Sequence, residues 1–297
     1  MNQHDPVNQL DPADQLARAL AFRRLHEEPR PFVVPNPWDA GTARLLGGLG
    51  FAALATTGAG LAYGLGLPDG GNRVTRHDVL ANAAVIVSAT HLPVSADLES
   101  GFGETPDEVA ETIRLAAAAG LVGGSIEDST GRAEDPVRPL DEAVERVAAA
   151  VAAARALGFP FTVTARAENF FQGRPDLPDT IRRLRAYEAA GADVLYAPGL
   201  PDAESVRAVC AAVDRPVNVL MGSPALALSV ADLGELGVRR ISVGSALSRA
   251  ALGAVVRAAE EIRTQGTFGF GAQALPYPEV NALMTATAPT APTATED

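Results

Sequence analysis

What most constrains this chain is a repeat of form rather than of letters. A short apolar run without polar alternation is followed by a segment spaced like a helix, eight times over. Pro31–Pro35 (PFVVP) precedes Ala40–Leu49, where Ala43 and Leu46 share a stripe and Gly50 stops the pattern. Phe51–Thr56 is the second run; a glycine-rich stretch, Thr57–Gly71, interrupts before helical spacing returns over Arg76–Thr90. Leu92–Asp97, Leu121–Glu127, Phe161–Arg166, Asp193–Ala197, Val217–Leu220 and Arg240–Val243 are the later runs. The intervening helices are expected at Asp141–Leu157, Asp179–Ala190, Asp202–Val213, Pro224–Leu233 and Ser245–Gln265. The clearest helix start is local: Thr105 as N-cap, Pro106 at the first helical position and Glu108 closing a capping box.

Strands buried on both faces need no polar alternation, so these runs predict a parallel sheet covered by helices. Eight units predict an α/β chain folded as a (β/α)8 TIM barrel with a C-terminal helical extension. A doubly wound sheet would place a glycine fingerprint after the first strand, and PNPWDAG does not supply it. The expected organisation is a polar, helical lead-in over residues 1–28, the barrel and its C-terminal helices over 29–284, and a disordered Thr/Ala/Pro tail over 285–297.

Composition narrows function by exclusion. A net charge of -12 argues against a nucleic-acid partner, which would require clustered Lys and Arg. No apolar run approaches the roughly 20 residues of a membrane span. The single cysteine, Cys210, rules out an internal disulfide framework, and with the polar, acidic N-terminus it suggests the cytoplasm.

Barrel chemistry sits at the C-terminal ends of the strands. Collecting ionisable residues there yields Asp97 and Glu99 in SADLESGFG, Glu127 and Asp128 in GGSIEDS, Arg166 and Glu168 in TARAENF, and Asp69 in the loop GLGLPDGG. Carboxylates crowded at one mouth repel each other unless a counter-charge joins them. Oxygen-only ligands select Mg2+, with Mn2+ as the alternative, and no His/Cys cluster of zinc type is present. Each acid alone could equally cap a helix or pair with an arginine. Arg166 could be a structural ion-pair partner or a bidentate carboxylate clamp. Gly58 and Gly60 in TTGAG could form a tight turn or let backbone N–H groups approach an anion.

The same segments, in this order, resemble the isocitrate lyase/phosphoenolpyruvate mutase superfamily. PNPWDAGTARLLGGLGFAALATTGAGLAYGLGLPDGG resembles its opening segment, SADLESGFG and GGSIEDS its acidic motifs, and TARAENF, GADVLYAPG and PVNVLMG its later strand ends. The resemblance implies Mg2+ held nearest to Asp97, with Asp69, Glu99 and Glu127 acting directly or through metal-bound water. It implies that Thr57, Gly58 and Ala59 cradle a substrate carboxylate and that Arg166 holds a carboxylate or phosphonate oxygen. It further implies a homo-oligomer, dimer or tetramer, with the last helix packed on a neighbour.

Departures from the pattern shape the expected chemistry. Where isocitrate and methylisocitrate lyases carry a cysteine-containing loop, this chain reads STGRAEDPVRPL, and Cys210 lies far away. The positions that hold Lys and His in the mutases and phosphonopyruvate hydrolases are Ser129 and Ala197. Glu99 stands where the family usually has Asp. The expected activity is Mg2+-dependent carbon–carbon cleavage of a small 2-oxo or 2-hydroxy carboxylate through a pyruvate-like enolate. Tyr63, Glu168 or a metal-bound water are the candidate proton carriers. Carbon–phosphorus chemistry, a non-catalytic 2-oxo acid binder, and a phosphate site at Gly222–Ser223 and Gly244–Ser245 are the alternatives.

Overall fold

The computed structural model describes residues 10–71, 73–223 and 226–285. Eight parallel strands form one sheet: β1 (Phe32–Val34), β2 (Leu54–Ala55), β3 (Val94–Asp97), β4 (Gly123–Glu127), β5 (Thr162–Arg166), β6 (Val194–Tyr196), β7 (Val217–Leu220) and β8 (Arg240–Ser242). Their order is β1-β8-β7-β6-β5-β4-β3-β2, which curls into a nearly closed barrel. The seam between β1 and β2 is bridged where the strands end. Ala55 N–H donates to the Pro35 carbonyl at 3.1 Å, and the Asn36 amide donates to the Thr56 carbonyl at 2.9 Å. Asn36 Oδ1 also accepts the Val243 and Gly244 N–H groups, both at 2.9 Å, so one side chain ties β1 to the ends of β2 and β8.

The strands are shorter than the apolar runs that announce them. Phe51–Thr56 yields only Leu54–Ala55, because ladder bonds form only where a neighbour lies in register. Alternation places Val163 and Ala165 among outer core clusters, while Thr162, Thr164 and Arg166 face the lumen. That lumen is polar: Arg240 Nη1 donates to Thr164 Oγ1 at 3.0 Å, and the Asn218 amide donates to Ser242 Oγ at 3.0 Å.

Helices α1 (Pro12–Glu27), α2 (Ala40–Gly48), α3 (Gly58–Gly64), α4 (Arg76–Ser88), α5 (Pro106–Ala118), α6 (Leu140–Arg155), α7 (Leu177–Ala189), α8 (Ala203–Ala212), α9 (Val230–Glu235), α10 (Ala246–Gln265) and α11 (Tyr277–Thr285) complete the chain. The capping box at Thr105 and Glu108 is present as expected. Helix α1 does more than lead in. It buries Ala19 and Phe22 completely, and the Gln15 amide holds the Ala117 and Leu121 carbonyls. Phe22 is the floor of the lumen: a Cβ on Gly123 would lie 2.9 Å from the Thr162 carbonyl oxygen and 3.1 Å from the Phe22 ring, so glycine lets β4 pass both.

Two expectations change. The stretch after β2 is not a simple interruption: Thr57 Oγ1 accepts the Gly60 N–H and starts α3. The helix expected over Pro224–Leu233 begins only at Val230, capped by Ser229, and residues 224–225 lie outside the described residues. The disordered tail expected over 285–297 likewise lies outside them beyond Thr285, as do the first nine residues of the lead-in. Helix α10 is 20 residues long yet buries only Ser248. Among the described residues, no helix is long and apolar enough to cross a membrane.

Candidate active site

At the C-terminal mouth, register brings the acids together. Asp97 pairs with Ser125, Glu127 with Arg166, and Arg166 with Tyr196 across β3 to β6. All of these positions face the lumen, so four strands contribute to one cluster.

Arg166 is its hub. Nη1 donates to Asp97 Oδ1 at 3.0 Å, Nη2 lies 3.1 Å from Glu127 Oε2, and Nε donates to Glu168 Oε1 at 2.9 Å. The Tyr196 ring lies across the guanidinium at 5.0 Å. Burial acts to lower the Arg166 pKa, but Glu168, Glu127 and Asp97 together raise it well above its ordinary value. This arginine stays charged. Its protein bonds leave one Nη1 hydrogen for a ligand, which is less than the free fork that a bidentate clamp would present.

Asp97 is equally engaged. Besides Arg166 it accepts the Gly58 N–H at 3.3 Å and the Glu99 N–H at 3.3 Å, while its own N–H donates to Thr56 Oγ1 at 3.0 Å. Glu127 accepts the Ser129 hydroxyl at 2.5 Å. Ser129, noted in the sequence only as a departure, is therefore a direct partner of the mouth.

Glu99 follows β3 with φ of 50°, an uncommon backbone for a residue other than glycine. Its carboxylate lies over the start of α3: a Cβ on Gly58 would fall 2.1 Å from Glu99 Oε1, so glycine lets the carboxylate rest there and a larger residue would push it aside. The front of the Thr57–Gly58–Ala59 turn is thus occupied by acidic side chains. Asp69 sits on the exposed loop after α3, near enough to feel the charges of Asp97 and Arg166.

The cluster carries more negative charge than Arg166 neutralises. Burial, followed by repulsion from Asp97 and Glu127, raises the Glu99 pKa to about 9. Burial raises Glu168 to about 8, against the pull of Arg166, and raises Glu127 and Asp69 as well. Among the described residues, no three His, Cys, Asp or Glu side chains converge tightly enough to hold a metal by themselves. A hard cation that keeps most of its waters needs only one or two carboxylates, and a mouth short of positive charge fits it.

Two expected sites resolve differently. Asp128 does not join the mouth: alternation sends it outward, where Tyr187 and Arg183 bind it. The Gly244 N–H is committed to Asn36, so that amide has no room for a phosphate. Glu168 is expected from the sequence as a mouth carboxylate and a candidate proton carrier; its spacing of two from Arg166 is the signal that the two side chains pair. Tyr196 carried no such signal, because its position depends on register.

The C-terminal mouth of a parallel eight-stranded barrel is where enzymes of this architecture carry their active sites, and here it holds an acidic, arginine-centred cluster. The chain belongs to the phosphoenolpyruvate phosphomutase family, whose model matches residues 22–263. It is similar to a putative lyase/mutase from Burkholderia cenocepacia J2315, with 58% identity, TM-score 0.90, and coverage of 93% of this chain and 98% of that one. It is also similar to 2,3-dimethylmalate lyase, with 31% identity, TM-score 0.80, and coverage of 90% and 94%. A third neighbour is phosphonopyruvate hydrolase, solved with oxalate and Mg2+, with 26% identity, TM-score 0.79, and coverage of 90% and 94%.

Proposed function

We propose that this protein is a Mg2+-dependent carbon–carbon lyase acting on a small 2-oxo or 2-hydroxy carboxylate. The observation that carries the reading is the surplus of carboxylates around Arg166, centred on Asp97, at the mouth of a barrel of this family. Asp97 would hold the cation, with Glu99 and Glu127 bonded to it or to its waters and Asp69 at the rim. When bound, such a cation supplies positive charge where negative charge gathers on the keto oxygen as the adjacent bond breaks.

The chain's own residues do the rest. Arg166 fixes the three carboxylates and offers its remaining N–H to a substrate oxygen. Thr57 and Ala59, at the start of α3, would orient the substrate carboxylate beside Gly58, whose N–H is held by Asp97; positioning of this kind removes part of the barrier. Glu168, held protonated by burial up to about pH 8, can hold a proton beside Arg166. Ser129 in place of a lysine favours carbon–carbon over carbon–phosphorus cleavage.

The test is a panel of oxaloacetate, alkylmalates, methylisocitrate and phosphonopyruvate with Mg2+, read by release of pyruvate or other 2-oxo acid. Turnover of a malate or oxaloacetate, abolished in Asp97→Ala, is expected. Turnover of phosphonopyruvate alone would move the reaction to carbon–phosphorus chemistry. Stabilisation by oxalate without turnover of anything would leave a binding protein.

The same reading extends to assembly and location. Leu252, Val255 and Val256 stand 45%, 65% and 54% exposed on α10, an apolar surface suited to a second copy of the chain. Val255→Glu with Val256→Glu should convert a dimer or tetramer to monomer in light scattering; an unchanged mass would remove α10 from the interface. A free, half-buried Cys210 and an acidic surface suit the cytoplasm.

A further inference from the structure

Glu127 and Asp128 are adjacent in sequence and opposite in direction. Glu127 faces the lumen, and Asp128, 3% exposed, faces the helical layer. Its carboxylate is fully engaged there. Oδ2 accepts the Tyr187 hydroxyl at 2.6 Å and Arg183 Nη1 at 3.0 Å, both from α7. Oδ1 accepts the backbone N–H of Glu168 at 2.8 Å.

The backbone of Asp128 is engaged as well. Its N–H donates to the Arg166 carbonyl at 3.3 Å, and its carbonyl accepts the Arg138 N–H at 2.8 Å. Arg183 Nη1 also donates to the Arg138 carbonyl at 2.9 Å. One buried residue therefore joins the segment after β4, the end of β5 and α7.

We infer that Asp128 is a positioning residue, which sets Glu168 through its backbone N–H and so aims the Arg166 guanidinium at the mouth. The physical reason lies in the order of the contacts. Glu168 Oε1 holds both Nε and Nη2 of Arg166 at 2.9 Å, which fixes the plane of the guanidinium. Beyond the end of β5 the Ala167 N–H still bonds the Tyr196 carbonyl at 2.9 Å and the Glu168 carbonyl accepts the Gln172 N–H at 2.8 Å, which leaves Asp128 Oδ1 as the acceptor that settles the Glu168 N–H. The Glu168 N–H would be a buried orphan without Oδ1 of Asp128, and orphaned buried donors make a segment shift until they find water or another acceptor. Asp128 thus acts on the site from outside the barrel wall, without touching a ligand. Tyr187, fully buried, and Arg183 hold it from behind.

Two functions of Asp128 separate by variant. Its ion pair with Arg183 contributes to stability; its Oδ1 bond to Glu168 sets the mouth. Asp128→Asn keeps an oxygen for the Glu168 N–H and loses one of the two carboxylate charges that face Arg183, leaving Asp179 at 2.8 Å as the other. Asp128→Ala loses both.

The aiming of a ligand by Arg166 rests on the proposed function, so the experiment has three readouts on the full-length protein. Mn2+ affinity by calorimetry reports Asp97, Glu99 and Glu127. Oxalate affinity at saturating Mg2+ reports the Arg166 side. Amide exchange across residues 167–176 reports the Glu168 segment whether or not any ligand binds.

In Asp128→Ala, Mn2+ affinity should stay within threefold, oxalate affinity should fall tenfold or more, and exchange across 167–176 should rise. In Asp128→Asn, Tm should fall while oxalate affinity stays within threefold. Asp128→Ala with a lowered Tm but unchanged oxalate affinity and exchange would overturn the inference and leave a purely structural ion pair. Should Asp128→Ala fail to fold, a tenfold oxalate loss in Asp128→Asn would overturn the assignment of Oδ1. A wild-type protein that binds neither Mn2+ nor oxalate defeats the proposed function instead, and the exchange result then decides the role of Asp128 alone.

Discussion

Replacing Arg166 by Met tests whether the mouth is held together by one charge. The side chain is 12% exposed and lies 3.0, 3.1 and 2.9 Å from Asp97, Glu127 and Glu168. Removing one partner of a buried ion pair typically costs about 3–5 kcal/mol, because the remaining charges stay buried and uncompensated. For a chain of this size about 1 kcal/mol corresponds to roughly 2 °C in Tm, so a loss of about 6–10 °C is expected at pH 8.5. The loss should depend on pH. Glu168 already holds its proton up to about pH 8, and without Arg166 its carboxyl and that of Glu127 should hold theirs higher still. At pH 5.5 the Glu168 carboxyl is neutral and the penalty shrinks. Thermal denaturation by circular dichroism at the two pH values measures both effects, and Mg2+ should recover part of the loss at pH 8.5. A shift below about 2 °C at pH 8.5, or equal shifts at both pH values, would refute the claim that Arg166 is the principal counter-charge.

Other consequences follow from the same geometry. In the wild type, Glu99 and Glu168 titrate near 9 and 8 when folded and near about 4.3 when unfolded. Their protonated forms thus favour the folded state, fully below about pH 4.3, and this contribution is lost as pH rises through 8–9. Metal-free Tm should therefore fall between pH 6 and 9 from these groups, and the gain from Mg2+ should grow across that window as bound protons are displaced; a gain that shrinks instead would contradict the assignment. Gly58→Ala puts a methyl 2.1 Å from Glu99 Oε1, so the carboxylate must swing away and Mg2+ affinity, measured by calorimetry, should drop about tenfold or more with the fold intact. Phe22→Ala opens the barrel floor and should cost about 3–5 kcal/mol in urea denaturation while Mg2+ affinity is unchanged; a cost below about 1 kcal/mol would mean that α1 is not part of the core.

Much of this protein was legible locally. The capping box at Thr105, the apolar runs of buried parallel strands and the glycine stops depend on neighbours within a few residues, so the sequence carries them openly. Their place at the C-terminal ends of the apolar runs likewise marked Asp97, Glu127, Arg166 and Glu168 as candidates for one barrel mouth. Tertiary structure decided what those side chains meet. Register between strands, which no single strand encodes, placed Arg166 beside Glu127 and Tyr196 and made it a hub before it could be a clamp. The same pairing turned Asp128 away from the mouth toward Tyr187, although it follows Glu127 directly. Helix α1 shows the contrast most simply: its sequence reads as a polar lead-in, yet the open end of a barrel lumen leaves apolar surface that Ala19 and Phe22 remove from water. Local sequence sets the conformation of a segment, but the partner that buries it comes from residues distant in the chain, and only the closed barrel brings them within reach.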